Sequence, residues 1–158
     1  MTGDLLSNGT EAPDLQELPP GQLYAQDEGD AVRCESCAVL VIDDDVAFQQ
    51  FVSSHLRANG FIVLTASSGI EGLDMLISGA RGVRVVLLDY AMPDLNGSAT
   101  LQRLRGLHPS IKVVAVTSLI PEVVAADFRE GVDAYIEKPV NIQELIDAID
   151  RLAASKSP

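Results

Sequence analysis

Residues 39–46 read VLVIDDDV, an apolar run that ends against three adjacent carboxylates. A short apolar run rich in β-branched residues is typical of a buried strand, and we place the first strand at 38–42. Three like charges at the end of a core strand repel one another and need a compensating partner. The function of the chain therefore depends on what lies opposite Asp43, Asp44 and Asp45.

Four more short apolar runs follow, separated by amphipathic stretches. The predicted strands are 38–42, 61–65, 83–88, 111–116 and 133–136. The predicted helices are 46–58, a second after Ser67-Ser68 that includes Ile70 to Ile77, a third from near Ser98 to before Pro109, a fourth at about 121–130, and a fifth from Asn141 to Leu152. Five alternating units predict the α/β class with a doubly wound, five-stranded parallel sheet. In such folds the functional site lies at the carboxyl ends of the strands.

The chain is strongly acidic, with a net charge of -12 from 11 Lys and Arg against 23 Asp and Glu. This charge disfavours direct binding to nucleic acid or to an anionic membrane surface. No cationic start, sustained apolar leader or membrane-length apolar run is present, so we expect a cytoplasmic protein.

The acidic excess is concentrated in residues 1–37, which are also rich in Pro and Gly and show no lasting helical or strand period. We predict a disordered N-terminal extension there, a folded domain at 38–154 and a short tail at 155–158.

Two cysteines, Cys34 and Cys37, form a CxxC pair within the extension. A zinc site would need two further ligands, and the two histidines of the chain, His55 and His108, fall in separate helical segments. A redox pair is the other functional interpretation. We favour two reduced thiols in a linker.

A fourth carboxylate, Asp89, ends the third apolar run. If strands one and three are neighbours, Asp89 faces the acidic triplet across the crevice at the edge of the sheet. Oxygen ligands suit Mg²⁺, which accepts one or two carboxylates and keeps water positions for phosphate oxygens. The converging acids therefore predict a site for Mg²⁺ and phosphate. We assign Asp45, the acid nearest the first helix, to the helix cap.

Two further strand ends supply groups that bind phosphate. Thr117 and Ser118 follow the fourth apolar run with hydroxyls that can donate to a phosphate oxygen, and Lys138 follows the fifth with an ammonium. Each residue alone is more often an ordinary polar residue at a strand end. Together with the acids, they indicate phosphate chemistry.

Four motifs carry a resemblance to a known family: VIDDD at 41–45, LLDYAMPDLNG at 87–97, VAVTS at 114–118 and GVDAYIEKPV at 131–140. They follow one another in the family's order. The chain from 38 to 154 resembles the receiver domain of two-component response regulators. The resemblance implies a flavodoxin-like (βα)5 fold with strand order 2-1-3-4-5.

The resemblance also implies roles for the acids. Asp89 would be the phosphoacceptor for a sensor histidine kinase or a histidine phosphotransfer protein. Asp43 and Asp44 would hold Mg²⁺ together with Asp89 and the backbone carbonyl of Ala91. Such a domain is not an enzyme acting on other substrates, since it catalyses only its own phosphorylation and dephosphorylation.

Further roles follow from the same resemblance. Thr117 and Lys138 would hold the phosphoryl oxygens, and the peptide before Pro139 would be cis. Thr117 and Tyr135 would form a switch that alters the face of the fourth helix, fifth strand and fifth helix. That face would bind a downstream protein or a second copy of the chain.

One region departs from the family pattern. The segment between Thr117 and Tyr135 is one residue shorter than in many family members, and Pro121 lies where the fourth helix should begin. We therefore expect that loop and helix to be shifted or short.

Two other functions fit part of the pattern. The run from Asp43 to Val46 resembles the DxDxV motif of haloacid-dehalogenase-like phosphatases, with Ala47 at the last position of the motif, and in that motif Asp43 would be the nucleophile. That interpretation lacks a cap and a late acidic pair, and it leaves Thr117 and Lys138 unexplained. A phosphorylation-independent binding module of the same fold is the second alternative. Both a stand-alone receiver and a piece of a longer regulator agree with a sequence that stops at Pro158.

Overall fold

The structure is a computed structural model, and it describes residues 37–155. The predicted acidic extension apart from Cys37, and the predicted tail apart from Ser155, lie outside this range, as does Cys34. Within it, no helix is both long enough and apolar enough to cross a membrane.

Strands and helices alternate along the described chain. The strands are β1 Ala38–Ile42, β2 Ile62–Ala66, β3 Val83–Leu88, β4 Lys112–Thr117 and β5 Ala134–Glu137. The helices are α1 Val46–Ala58, α2 Gly69–Ile77, α3 Gly97–Leu107, α4 Ala126–Gly131 and α5 Ile142–Ala154. Every predicted strand is present, with ends within one residue of the prediction.

The five strands form one parallel sheet in the order β2-β1-β3-β4-β5. The predicted fold class and strand order are therefore confirmed. At its carboxyl end β1 pairs with both neighbours, since Ile42 lies beside Ala66 of β2 and Leu88 of β3. The chain runs from β1 to β2 on one side and then crosses to β3 on the other. The strand order thus reverses at β1, where a crevice opens at the carboxyl ends of the strands.

Helices cover both faces of the sheet, which explains why its strands are apolar throughout. In β1, Val39 and Val41 belong to the cluster that packs with α1 and α5, whereas Leu40 and Ile42 belong to the cluster that packs with α2 and α3. All four residues are at most 1% exposed. The two-residue period of the strand thus supplies both halves of the core.

Cys37 belongs to the folded unit rather than to the linker in which we placed it. The residue immediately precedes β1, is 2% exposed and packs in the cluster of α1 and α5. It behaves as a small apolar core residue, as buried cysteines commonly do.

The fourth helix is shorter than predicted. Instead of one helix at 121–130, Pro121–Val123 form a 3-10 turn and Ala126–Gly131 form a six-residue α4. Val124 between them is extended, and Ala125 is also outside the helical region, with ψ of 137° and 138° respectively. The break turns the Val124 side chain into the core, where it is 3% exposed, and this burial outweighs the lost helical turn. The expectation of a shifted or short helix is confirmed.

Arg105 of α3 anchors the short α4 to the sheet. Its guanidinium donates to the Gly131 carbonyl at 2.8 Å and to the Asp133 carboxylate at 2.7 Å. Asp133 also accepts from the Val113 amide at 2.8 Å. These bonds fix the end of α4 and the start of β5 at the amino ends of the strands. Asp43 and Asp89 lie at the opposite, carboxyl ends.

Candidate functional site

Asp43 and Asp89 lie at the carboxyl ends of neighbouring strands. Asp43 follows β1 and Asp89 follows β3, and the Asp89 amide donates to the Ile42 carbonyl at 3.0 Å. The two residues are 1% and 6% exposed. The structure therefore places two buried acids side by side at the edge of the sheet where the sequence predicted that they would meet.

Asp44 completes a group of three carboxylates. One oxygen each from Asp43, Asp44 and Asp89 lies within 4.8 Å of the others. Asp44 is exposed, so this group is open to solvent on one side. Hard oxygen donors at this spacing fit a Mg²⁺ ion, whose charge would offset the repulsion among the three acids.

Burial raises the pKa of Asp89 above its usual range, and the adjacent Asp43 carboxylate raises the pKa further. The Lys138 ammonium and hydrogen bonds from the Ala91 amide and the Thr117 hydroxyl oppose this shift without cancelling it. The ionised form of Asp89 is therefore less favoured in the folded protein than in the unfolded chain. Such perturbed carboxylates in a crevice are typical of functional sites.

Lys138 lies between the two buried carboxylates. Its Nζ is 2.6 Å from Asp43 Oδ2 and 3.9 Å from Asp89 Oδ2. The Lys138 amide donates to the Thr117 carbonyl at 2.9 Å, which fixes the backbone against β4. The peptide between Lys138 and Pro139 is cis, as the resemblance implies.

Thr117 ends β4 inside the site. The residue is 0% exposed, and its hydroxyl lowers the pKa of the Asp89 carboxyl. Ser118, the other hydroxyl predicted at this strand end, is exposed. Of the two hydroxyls, that of Thr117 is therefore the buried one that acts on the Asp89 carboxyl.

Asp45 is a helix cap, as predicted. Its Oδ1 accepts from the amides of Ala47 at 2.9 Å and Phe48 at 3.1 Å at the start of α1. Its own amide donates to Asp43 Oδ1 at 2.9 Å. The third acid of the triplet therefore starts the helix and also orients the first.

The loop after β3 closes around Asp89. The Ala91 amide donates to Asp89 Oδ1 at 3.3 Å, while a role of the Ala91 carbonyl as a metal ligand stays a prediction. Gly97 opens α3 so close to β3 that a Cβ atom there would lie 2.8 Å from the Asp89 carbonyl oxygen. A residue without a side chain is needed for this close approach.

Tyr135 of β5 is linked to the site through Leu119. The Tyr135 hydroxyl donates to the Leu119 carbonyl at 2.5 Å, and the Leu119 amide donates to Thr117 Oγ1 at 3.4 Å. One residue of the loop after β4 thus connects the two residues predicted to form a switch.

Two residues of α1 contact the site although the sequence did not single them out for it. Gln49 is buried, and its Nε2 donates to the carbonyls of Asp43 at 2.6 Å and Ala66 at 2.7 Å. The Phe48 ring lies over Lys138, with 4.1 Å between its centroid and Nζ. A polar residue inside the apolar stripe of α1 is a sequence signal for Gln49. No comparable signal joins Phe48 to Lys138, because they are far apart in the chain.

Comparisons with known proteins agree with this geometry. The family model for the response regulator receiver domain matches residues 39–150. Response regulator MprA of Mycobacterium tuberculosis is 33% identical over 125 residues, which are 78% of this chain and 53% of that protein. Transcriptional regulatory protein GlrR of Escherichia coli is 31% identical over 122 residues, which are 76% of this chain and 27% of that protein. The chain thus spans about half of one relative and about a quarter of the other.

Solved structures share the fold. A response regulator receiver domain protein from Clostridium thermocellum is 32% identical with a TM-score of 0.68, and the match covers 74% of this chain and 94% of that one. Response regulator TrrA from Thermotoga maritima, solved in complex with Mg²⁺-BeF, is 25% identical with a TM-score of 0.67 and coverage of 73% and 98%. With the sheet order and the family model in agreement over the folded unit, this chain belongs to the response regulator receiver domain family.

Proposed function

We propose that this receiver accepts a phosphoryl group on Asp89 from a sensor histidine kinase or a histidine phosphotransfer protein. One observation carries the proposal: Asp89 is a buried carboxylate with a raised pKa that lies beside both an ammonium and a buried hydroxyl. Phosphoryl transfer needs charge neutralisation and positioned donors around the nucleophile, and Lys138 and Thr117 supply both. The domain acts as a cytoplasmic signalling module and catalyses only changes in its own phosphorylation.

The transfer is a displacement at phosphorus. An Asp89 carboxylate oxygen attacks the phosphorus of a phosphohistidine, a P–O bond forms as the P–N bond breaks, and the imidazole nitrogen leaves with the bonding electron pair. With acetyl phosphate as donor, the bond that breaks is P–O and the leaving group is acetate. Because the nucleophile must be ionised, Lys138 serves the reaction twice. It favours the carboxylate form of Asp89, and its N–H groups face the incoming phosphoryl oxygens.

The same proposal includes Mg²⁺ as cofactor. Asp43, Asp44 and Asp89 would hold the ion, with the Ala91 carbonyl as a further ligand, and their oxygen spacing supports this assignment. A bound Mg²⁺ supplies charge neutralisation at the phosphoryl oxygens. The residues themselves contribute a preformed acidic group, which the Asp45 cap and Gln49 hold in place.

We further propose that phosphorylation is relayed to the face formed by α4, β5 and α5. A phosphoryl group on Asp89 can accept a hydrogen bond from the Thr117 hydroxyl and so move it. A movement of Thr117 reaches Tyr135 through Leu119, whose amide donates to Thr117 and whose carbonyl accepts from Tyr135. Tyr135 also lines a groove with residues of α5: Glu144, Asp147 and Arg151. A downstream protein, or a second copy of the chain, would bind this face.

The phosphatase alternative has less support. Both oxygens of Asp43, the nucleophile it requires, are engaged, one by the Asp45 amide at 2.9 Å and the other by Lys138 at 2.6 Å. A non-phosphorylated binding module would have no need for Lys138 and Thr117 around Asp89.

Intact-mass measurement tests the proposal. The parent protein is incubated with acetyl phosphate or phosphoramidate and Mg²⁺, alongside Asp89→Asn and Asp43→Asn. We expect one added phosphoryl group on the parent, no addition on Asp89→Asn, and slow addition on Asp43→Asn. Phosphate retained by Asp89→Asn and lost in Asp43→Asn would favour the phosphatase. No addition to the parent with any donor would favour the binding module.

A further inference from the structure

We infer that Phe48 is a positioning residue for phosphoryl transfer, because its ring holds the Lys138 ammonium beside the two buried carboxylates. The kinetic part of this inference rests on the proposed function. The contact itself does not.

The contact has the geometry of a cation–π interaction. Lys138 Nζ lies 4.1 Å from the Phe48 ring centroid, well inside the roughly 6 Å range over which a ring face attracts a cation. The Lys138 side chain is 18% exposed. Partial removal from water strengthens this attraction relative to an exposed pair. The ammonium therefore has three attractive neighbours: the ring, Asp43 and Asp89.

The ring is fixed from the helix side. Phe48 is the third residue of α1, and its amide is bound to the capping Asp45 carboxylate at 3.1 Å. Its side chain is partly buried and packs against the core cluster of α1 and α5. Lys138, in contrast, has a long flexible side chain that loses considerable rotamer freedom when it is held. The rigid partner thus limits where the flexible one can lie.

An aromatic ring suits the position beside Lys138 better than a further carboxylate would. The ammonium already meets Asp43 at 2.6 Å and Asp89 at 3.9 Å. Another acid would add repulsion to a site that already contains three. The π face attracts the cation without adding negative charge and without accepting a strong hydrogen bond. The N–H groups of Lys138 therefore stay available to phosphoryl oxygens.

Substitutions that distinguish the effect of the aromatic ring from the effect of side-chain size test the inference. Phe48→Met keeps an apolar side chain and removes the ring, whereas Phe48→Tyr and Phe48→Trp keep an aromatic face. With acetyl phosphate and Mg²⁺, we expect Phe48→Met to be phosphorylated about three- to tenfold more slowly than the parent, given the usual strength of cation–π contacts. The two aromatic variants should stay within about twofold of the parent.

Phe51→Met is the matched control. Phe51 lies one turn further along α1, is 45% exposed and packs against the His55 ring in a tilted arrangement, with a centroid distance of 4.6 Å. The same chemical change there removes a ring that does not face Lys138. Its phosphorylation rate with acetyl phosphate should equal that of the parent.

NMR of the Lys138 side chain supplies a readout that does not depend on phosphorylation. The ring current of Phe48 should shift the Lys138 ε-methylene protons upfield in the parent and in Phe48→Tyr, and the shift should vanish in Phe48→Met. An unshifted Lys138 in the parent overturns the inference, even if Phe48→Met fails to fold. So does parental phosphorylation of Phe48→Met, or equally slow phosphorylation of all three variants. If the parent takes no phosphoryl group, the proposed function fails while the NMR result still decides the contact.

Discussion

The Lys138 ammonium forms an ion pair at 2.6 Å with the carboxylate of Asp43, the first acid of the triplet Asp43-Asp44-Asp45. The repulsion among the three carboxylates is offset in a different way at each residue. Asp43 is paired with a cation, Asp44 is exposed to solvent, and Asp45 accepts the free amides at the start of α1. The ion pair also means that Lys138 and a bound Mg²⁺ would compete for Asp43.

This competition predicts opposite effects of two substitutions on Mg²⁺ binding. Lys138→Met removes a positive charge beside the acids, so Mg²⁺ affinity should rise by roughly tenfold or more, since unit charges a few ångströms apart interact by several kcal/mol near a protein surface. Asp44→Ala removes a carboxylate, so affinity should fall by a similar factor. Isothermal titration calorimetry measures both.

Asp94→Ala serves as the control for Asp44→Ala, because Asp94 is an exposed acid of the neighbouring loop outside the three-carboxylate group. Its Mg²⁺ affinity should match that of the parent. Unchanged affinity in Asp44→Ala would contradict the assignment of this group to the metal. Weaker binding in Lys138→Met would contradict the competition.

Asp89→Asn should stabilise the fold at neutral pH. The pKa of Asp89 is raised, mainly by burial, so between the ordinary value of 3.8 and the raised pKa the folded protein binds a proton more readily than the unfolded chain. Stability is therefore lost as the pH rises through that window. The neutral amide does not suffer this loss. Its free energy of unfolding should match that of the parent most closely below pH 3.8 and exceed it above the window.

Urea unfolding over a pH series, with a chelator to remove divalent ions, measures the difference. Asp94→Asn changes an exposed acid in the same way and should stay within about 0.5 kcal/mol of the parent at every pH. A variant Asp89→Asn that is less stable than the parent at pH 7 would show that the ionised carboxylate is favoured by its surroundings.

The sequence was sufficient for the sheet and for the convergence of the acids, for physical reasons. Strands buried on both faces must be apolar throughout, and parallel strands bring their carboxyl ends to one edge, so Asp43 and Asp89 had to meet once β1 and β3 were neighbours. The break at Val124 was harder to place, because it results from competition between helix continuation and burial of one side chain. The spacing of apolar residues indicates where a helix can continue, but it does not show that burial of Val124 favours a break.

Gln49 shows a different limit of sequence reasoning. Its partners are main-chain carbonyls of Asp43 and Ala66, and a pattern of side-chain types does not show which carbonyls a side chain will reach.

Gln49→Met should destabilise the fold. The Ala66 carbonyl would keep its bond from the Asp43 amide at 3.1 Å, but the Asp43 carbonyl would lose the bond from Gln49. A buried polar group without its partner costs about 1–3 kcal/mol, which urea unfolding can measure. Gln50→Met, at the exposed neighbouring position, should change the free energy of unfolding by less than about 0.5 kcal/mol. Equal effects of the two substitutions would mean that the buried bonds contribute nothing.

Substitutions of Asp45 should distinguish its role as a helix cap from a role in metal binding. Asp45→Ala removes the acceptor for the amides of Ala47 and Phe48, so the free energy of unfolding should fall by about 1 kcal/mol. Asp45→Ser keeps a capping oxygen and should recover most of that loss. Because the Asp45 side chain is outside the three-carboxylate group, Mg²⁺ affinity in Asp45→Ser should stay within about twofold of the parent, with small long-range charge effects screened at physiological salt. Affinity that falls as far in Asp45→Ser as in Asp44→Ala would make Asp45 a ligand, and the cap would then be its secondary role.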